Sequence, residues 1–136
     1  MPARKRDFII EKGADFQRQL FLKAGPDADI RNFTGRMQIR SAVSSEIVVL
    51  ELTTENNRIT CGYGVITINV TAAVTTALDT SGLTSKCKVT EPGPTGELPY
   101  ESEGKLAVYD LELISPSGVV TRYLEGRVCI VDNVTR

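Results

Sequence analysis

An all-β fold with one short helix is predicted by three observations. Runs of four to eight residues alternate between β-branched or apolar and polar side chains, Gly, Pro, Asn or Asp closes each run, and the closing segment reads as a long hairpin. At 136 residues, with 41% apolar and 24% charged residues, the chain has the composition of one globular domain spanning residues 1–136.

The elements follow in order. Phe8-Ile9-Ile10 opens the first strand and Lys12-Gly13 breaks it, before Phe16 to Leu22 forms the second and Gly25-Pro26-Asp27 turns the chain. In Gly35 to Ile39 the pair Met37 and Ile39 opposes Arg36, Gln38 and Arg40, the pattern of a half-buried strand. Ile47 to Leu52 is a denser apolar run, and Glu55-Asn56-Asn57 then suggests a hairpin turn into Ile59-Thr60-Cys61. Val65, Thr67 and Asn69 oppose Ile66, Ile68 and Val70. Thr71 to Asp79 predicts the single helix, with Thr71 as its cap and Ala73, Ala77 and Leu78 on one face. Leu83 to Gly104, carrying Pro92, Pro94 and Pro99 among glycines, is expected as a long inserted loop, residues 83–104. Leu106 to Ile114, a Ser115-Pro116-Ser117-Gly118 turn and Val119 to Val131 form the closing hairpin, with Tyr109, Leu111 and Leu113 facing the core and Leu106 and Val108 opposite.

Charge narrows the partners. With 16 basic and 17 acidic residues the formal charge is -1, which supplies no broad field toward nucleic acid or an anionic membrane, and neither partner is expected. The one basic run, Arg4-Lys5-Arg6, sits in an N-terminal arm, residues 1–7, read as a solvated tail or as an arm that binds a neighbour. No run reaches the roughly 18 to 20 apolar residues of a membrane span, and Met1–Asp7 leads into no signal-peptide core. Cys61, Cys87 and Cys129 are odd in number and widely separated, and are expected as buried or idle thiols.

No catalytic, cofactor or metal site is expected. The chain contains no histidine, which removes Ser-His-Asp and Cys-His catalysis and histidine-ligated metals together. Leu78-Asp79-Thr80-Ser81-Gly82 departs from an aspartic-protease loop by its extra serine, and Glu101 to Lys105 departs from a phosphate loop because Pro99 stands where its first glycine belongs. Asp27 and Asp29 read as turn residues rather than calcium ligands, and Glu97, Glu101 and Glu103 as solubilising charges. The three Asn-X-Thr triplets at Asn32, Asn69 and Asn133 read as coincidence, and the four Phe and four Tyr are too scattered for a base-stacking platform.

Taken in order, several segments carry a likeness. They are Asp7-Phe8 with Gly13-Ala14-Asp15-Phe16, Asn32 to Arg40, Gly64 to Ile68, Tyr109 to Leu113, Gly118 to Arg122, Leu124-Glu125-Gly126 and Val134-Thr135-Arg136. In their order and spacing the chain resembles small β-sandwich virion proteins of tailed bacteriophages, a group including capsid cement proteins and N-terminal domains of baseplate or tail-fibre proteins; Leu83 to Gly104 departs from it. The resemblance implies an antiparallel β-sandwich or jelly-roll-like barrel and a non-enzymatic structural role. The expected role is a capsid cement or decoration protein bridging capsid subunits, with a tail, neck or baseplate adaptor as the alternative. It implies a homo-oligomer located in the virion and assembled in the host bacterial cytoplasm. Because the arm and the loop carry charges, Pro or Gly and few apolar anchors, both are expected to be mobile alone and to order only against neighbouring subunits, with Arg4, Lys5 and Arg6 meeting acidic capsid groups and Leu98 and Tyr100 filling a neighbour's groove.

Overall fold

The structure, a computed structural model, describes residues 4–23, 25–42, 44–91 and 100–132, with the side chains of residues 90–102 excepted. It is all-β: among the described residues there are ten strands, one five-residue helical turn and one 3-10 turn at Gly25–Asp27. The larger sheet contains β1 (Arg4–Lys5), β2 (Phe8–Glu11), β4 (Thr34–Arg40), β5 (Val48–Thr53), β8 (Lys86–Glu91), β9 (Tyr100–Ile114) and β10 (Val120–Val131). Its main path runs β1-β10-β9-β4-β5. The smaller sheet is β3 (Phe16–Phe21), β7 (Val65–Val70) and β6 (Ile59–Cys61), in the order β3-β7-β6.

The two sheets enclose one core in a sandwich-like arrangement. Strand alternation delivers Met37 and Ile39 from β4, Tyr109, Leu111 and Leu113 from β9, and Val128 and Ile130 from β10 to one side. Phe16 and Leu20 from β3 and Ile66, Ile68 and Val70 from β7 meet them from the other. The register expected for the closing hairpin is therefore the observed one, with Leu106 and Val108 half-buried on the opposite face. The larger sheet is mixed rather than wholly antiparallel, because β1 and β2 run parallel to β10, with Arg4 opposite Leu124 and Phe8 opposite Val128. β10 is thus laced on both edges, by β9 on one and by the N-terminal strands on the other.

Several expectations are corrected. Glu55-Asn56-Asn57 closes no hairpin: β5 pairs with β4 and β6 with β7, so this turn carries the chain from one sheet to the other. Asn57 adopts a positive φ of 64°, and the Asn56 side chain accepts from the N–H groups of Thr53 and Arg58, holding the corner. The helical turn α1 (Ala72–Thr76) lies where predicted, but Thr71 makes no side-chain cap; Asp15 Oδ1 accepts from Ala72 N–H at 2.7 Å instead. Ala73 and Ala77 are exposed, and the inward residues are Thr75 and Leu78. The segment Leu83 to Gly104 is only in part a loop, because Lys86–Glu91 forms a full ladder with Tyr100–Lys105. Cys87 and Val89 alternate with Lys86 and Lys88, a pattern that suits a strand, and the prolines that argued against one are confined to positions 92–99, outside the described residues.

The thiols are corrected as well. Cys87 and Cys129 form a disulfide with Cα atoms 6.0 Å apart, and Cys61 alone is a free buried thiol. Cys87 sits on β8 opposite Gly104 of β9, while Cys129 sits on β10 opposite Leu106, so the bond crosses over β9. Gly104 makes the crossing feasible: a Cβ there would stand 2.9 Å from Cys129 Sγ and collide with the Ile130 carbonyl. Sequence spacing holds no sign of this pair, which the three-strand neighbourhood alone brings together.

Candidate functional site

The residues singled out from sequence as a partner surface begin at Arg4, and the fold gives that stretch a definite place. Arg4 and Lys5 pair with Leu124 and Glu125 of β10, and Arg6 N–H donates to the Glu125 carbonyl at 3.0 Å. Between β1 and β2 the chain bends past Gly126, whose missing side chain leaves room for the Arg6 carbonyl. That carbonyl accepts from the Tyr109 hydroxyl at 2.6 Å. Asp7 then takes the Arg127 N–H and guanidinium, each at 3.0 Å. Both hold its carboxyl below the ordinary carboxylate range, the backbone donor most strongly. Residues Arg4 to Asp7 are therefore docked along β10, with Arg4–Lys5 as an edge strand, which corrects the expectation of an arm that is mobile until a neighbour orders it; Met1 to Ala3 lie outside the described residues.

Docking the backbone turns the cationic side chains outward, where Arg4, Lys5 and Arg6 are all exposed. They border an open groove of about 370 Å³ whose other walls are Leu20 and Phe21 of β3 and Tyr123 and Leu124 of β10. Leu20 and Leu124 are buried, whereas Phe21 is 69% exposed. Parity along β3 could have found it: Phe16 and Leu20 face the core four residues apart, so Phe21 must face away. Tyr123 carried no such signal, because a register shift between Arg122 and Leu124 sets its direction.

The other sequence candidates are placed elsewhere. Tyr100 opens β9 opposite Glu91, at the end of the sheet remote from Arg4, and its side chain and Leu98 lie outside the described residues. Asp29 commits both carboxylate oxygens to Arg31, at 2.9 and 3.0 Å, while Arg31 also stacks on Tyr63, so the turn forms a closed ion pair. Asp79 Oδ1 accepts from Ser81 N–H and hydroxyl, an Asx turn rather than a catalytic loop. Glu103 faces Lys86 at 3.6 Å, and burial pushes the Cys61 thiol up, away from reactivity. Among the described residues no group of three or more acidic or thiol side chains converges as a metal site would.

A second open groove of about 470 Å³ lies on the outer face of the larger sheet, over Gln38, Arg40, Asp110 and Glu112. Its charges neutralise one another across strands: Arg36 and Arg122 flank Glu112, and Arg122 reaches Asp110 at 3.6 Å and Glu125 at 3.9 Å. The β1 groove differs in having cations and apolar surface without paired carboxylates, which makes it the better candidate for holding a partner. No protein family matches the chain, and no curated protein matches it either.

Proposed function

We propose that this protein is a non-enzymatic structural component of a tailed-bacteriophage virion, acting as capsid cement that bridges and stabilises neighbouring capsid subunits. The observation that carries the reading is the groove at β1, where a sheet edge that no described strand occupies, three exposed cations and an exposed Phe21 are presented together. Such an edge is an adhesive element, since it offers backbone hydrogen bonds, charge and apolar area at once. A standard interface takes about 800 Å² from each partner, roughly a tenth of this protein's 8800 Å² surface, so one copy has room for more than one neighbour. The area buried between subunits already in place opposes their separation under internal pressure; no covalent bond changes. The Cys87–Cys129 disulfide suits the same setting, because proteins that stay in a reducing cytoplasm seldom keep one, whereas a released particle meets oxidising surroundings.

The test is the copy number of the protein in purified particles, measured by gel band intensity, together with the heat resistance of particles lacking it. Stoichiometry matching the capsid subunits, with heat-labile particles on deletion, is the expected result. A few copies confined to tail fractions would make it an adaptor instead, and absence from the particle would overturn the assembly role.

A further inference from the structure

We propose that the seam between β1 and β3 is a docking groove for an acidic, extended protein segment that adds to the free edge of β1 as a further strand. The inference deepens the assembly reading by giving the partner's chemistry, and rests on that reading for where the partner resides.

The seam is the line along which both sheets end. β1 terminates the path of the larger sheet and β3 terminates the smaller one, so each presents an outer edge that no described strand occupies. Farther along, the seam is sealed by Phe8 of β2 packing edge-to-face on Phe16 of β3 at 5.8 Å, but at Arg4 to Arg6 it opens into the groove. Leu20 and Leu124, already buried, form its floor, and its rim carries the exposed Phe21 and half-buried Tyr123, whose apolar area a bound segment can cover in addition to meeting the charge.

The cations identify the ligand's sign. Arg6 lies over the Phe8 ring at 5.5 Å and Arg18 over the Phe16 ring at 4.5 Å, which holds both guanidinium groups along the seam. Among the described residues Arg4, Lys5, Arg6 and Arg18 make no ion pair. These four stand together along the seam, and no carboxylate lines the groove they border, in a chain whose total charge is -1. A carboxylate-bearing segment satisfies them, and an extended one also reaches the backbone groups of the edge. A nucleic acid would meet the charges but has no use for the strand edge, which favours protein.

The probe is a fluorescein-labelled peptide alternating Glu and Val, compared by anisotropy with the same peptide carrying Lys for Glu, on the isolated full-length protein. The Glu peptide should bind saturably and about tenfold or more tighter than the Lys peptide, with affinity falling as salt rises. Arg4→Glu with Lys5→Glu should reverse that preference; Arg4→Gln with Lys5→Gln, a milder pair at the same exposed positions, should abolish it without reversal. Equal binding of the two peptides, no saturable binding, indifference to both double variants, or displacement by single-stranded DNA of equal length would each overturn the proposal. Because no particle is used, these outcomes are independent of the copy-number experiment.

Discussion

Tyr109 donates its hydroxyl to the carbonyl of Arg6 at 2.6 Å, joining residues 103 apart in the chain. The ring belongs to the core, packed on Phe8 at 5.1 Å, while the hydroxyl reaches the edge strand, so one side chain fixes β1 on its scaffold. Burial pushes the phenol well above its ordinary value, and Asp7 nearby adds to the shift, so it remains a donor at all ordinary pH. Tyr109→Phe should cost about 1 to 2 kcal/mol and selectively raise hydrogen exchange of the β1 amides. A global loss without selective exchange in β1 would show that the hydroxyl serves the core alone.

Cys87→Ser should lower stability by about 4 kcal/mol, the chain-entropy value for a closed loop of 42 residues. Reduced wild-type protein should melt close to the variant. Gly104→Val should prevent the bond from forming, since its side chain would occupy the space of Cys129 Sγ. Mass spectrometry after alkylation of the folded oxidised protein checks this: unmodified wild type is expected, against newly labelled thiols in Gly104→Val.

Asp7 makes stability depend on pH. Its folded value lies below the ordinary 3.8, so its contribution is fully present above that value and is lost as pH falls through the lower folded one. Both partners are largely exposed, with side-chain exposures of 55% and 67%, which limits the effect to about 0.2 to 1 kcal/mol. Urea titrations of Asp7→Asn and wild type should differ by that amount at neutral pH and converge in strong acid. A difference that persists in acid would assign the contribution to shape rather than charge.

Among the described residues Thr75 is the one fully buried polar side chain, and its hydroxyl accepts from Gly13 N–H at 3.1 Å and faces the Ala14 carbonyl at 2.9 Å. It pins the turn between β2 and β3 to α1. Thr75→Val keeps the volume but strands the Gly13 donor and the Ala14 acceptor, and should cost about 1 to 3 kcal/mol. Thr75→Ser, which keeps the hydroxyl, should recover most of this in the same denaturation measurement.

What the sequence alone makes legible divides along a physical line. Local alternation is written in adjacent residues, so the strands at Thr34–Arg40, Val65–Val70 and Val120–Val131 and the inward set Tyr109, Leu111 and Leu113 were legible. Pairing depends on residues far apart and was not: nothing near Glu55 indicates that β5 and β6 belong to different sheets, and nothing near Cys87 points to Cys129. The basic run was legible as charge, but its conversion from a loose arm into an edge strand required Gly126, Tyr109 and Arg127, all more than a hundred residues away. Phe21 was hidden for a simpler reason, because an apolar residue ending an apolar strand is read as core unless its parity is followed.

The parallel seating of β2 on β10 also sets a schedule for the growing chain. Asp7 and Arg127 are 120 residues apart, so at about 5 to 20 residues per second the ribosome delivers the second partner roughly 6 to 24 seconds after the first. Throughout that interval Phe8, Ile9 and Ile10 have emerged with no strand to receive them, a short β-prone stretch able to pair with the wrong chain. Arg4, Lys5 and Arg6 stand immediately beside it and act as gatekeepers, because bringing two such nascent segments together would stack like charges. The cations that border the finished groove thereby protect the unfinished molecule from its own copies.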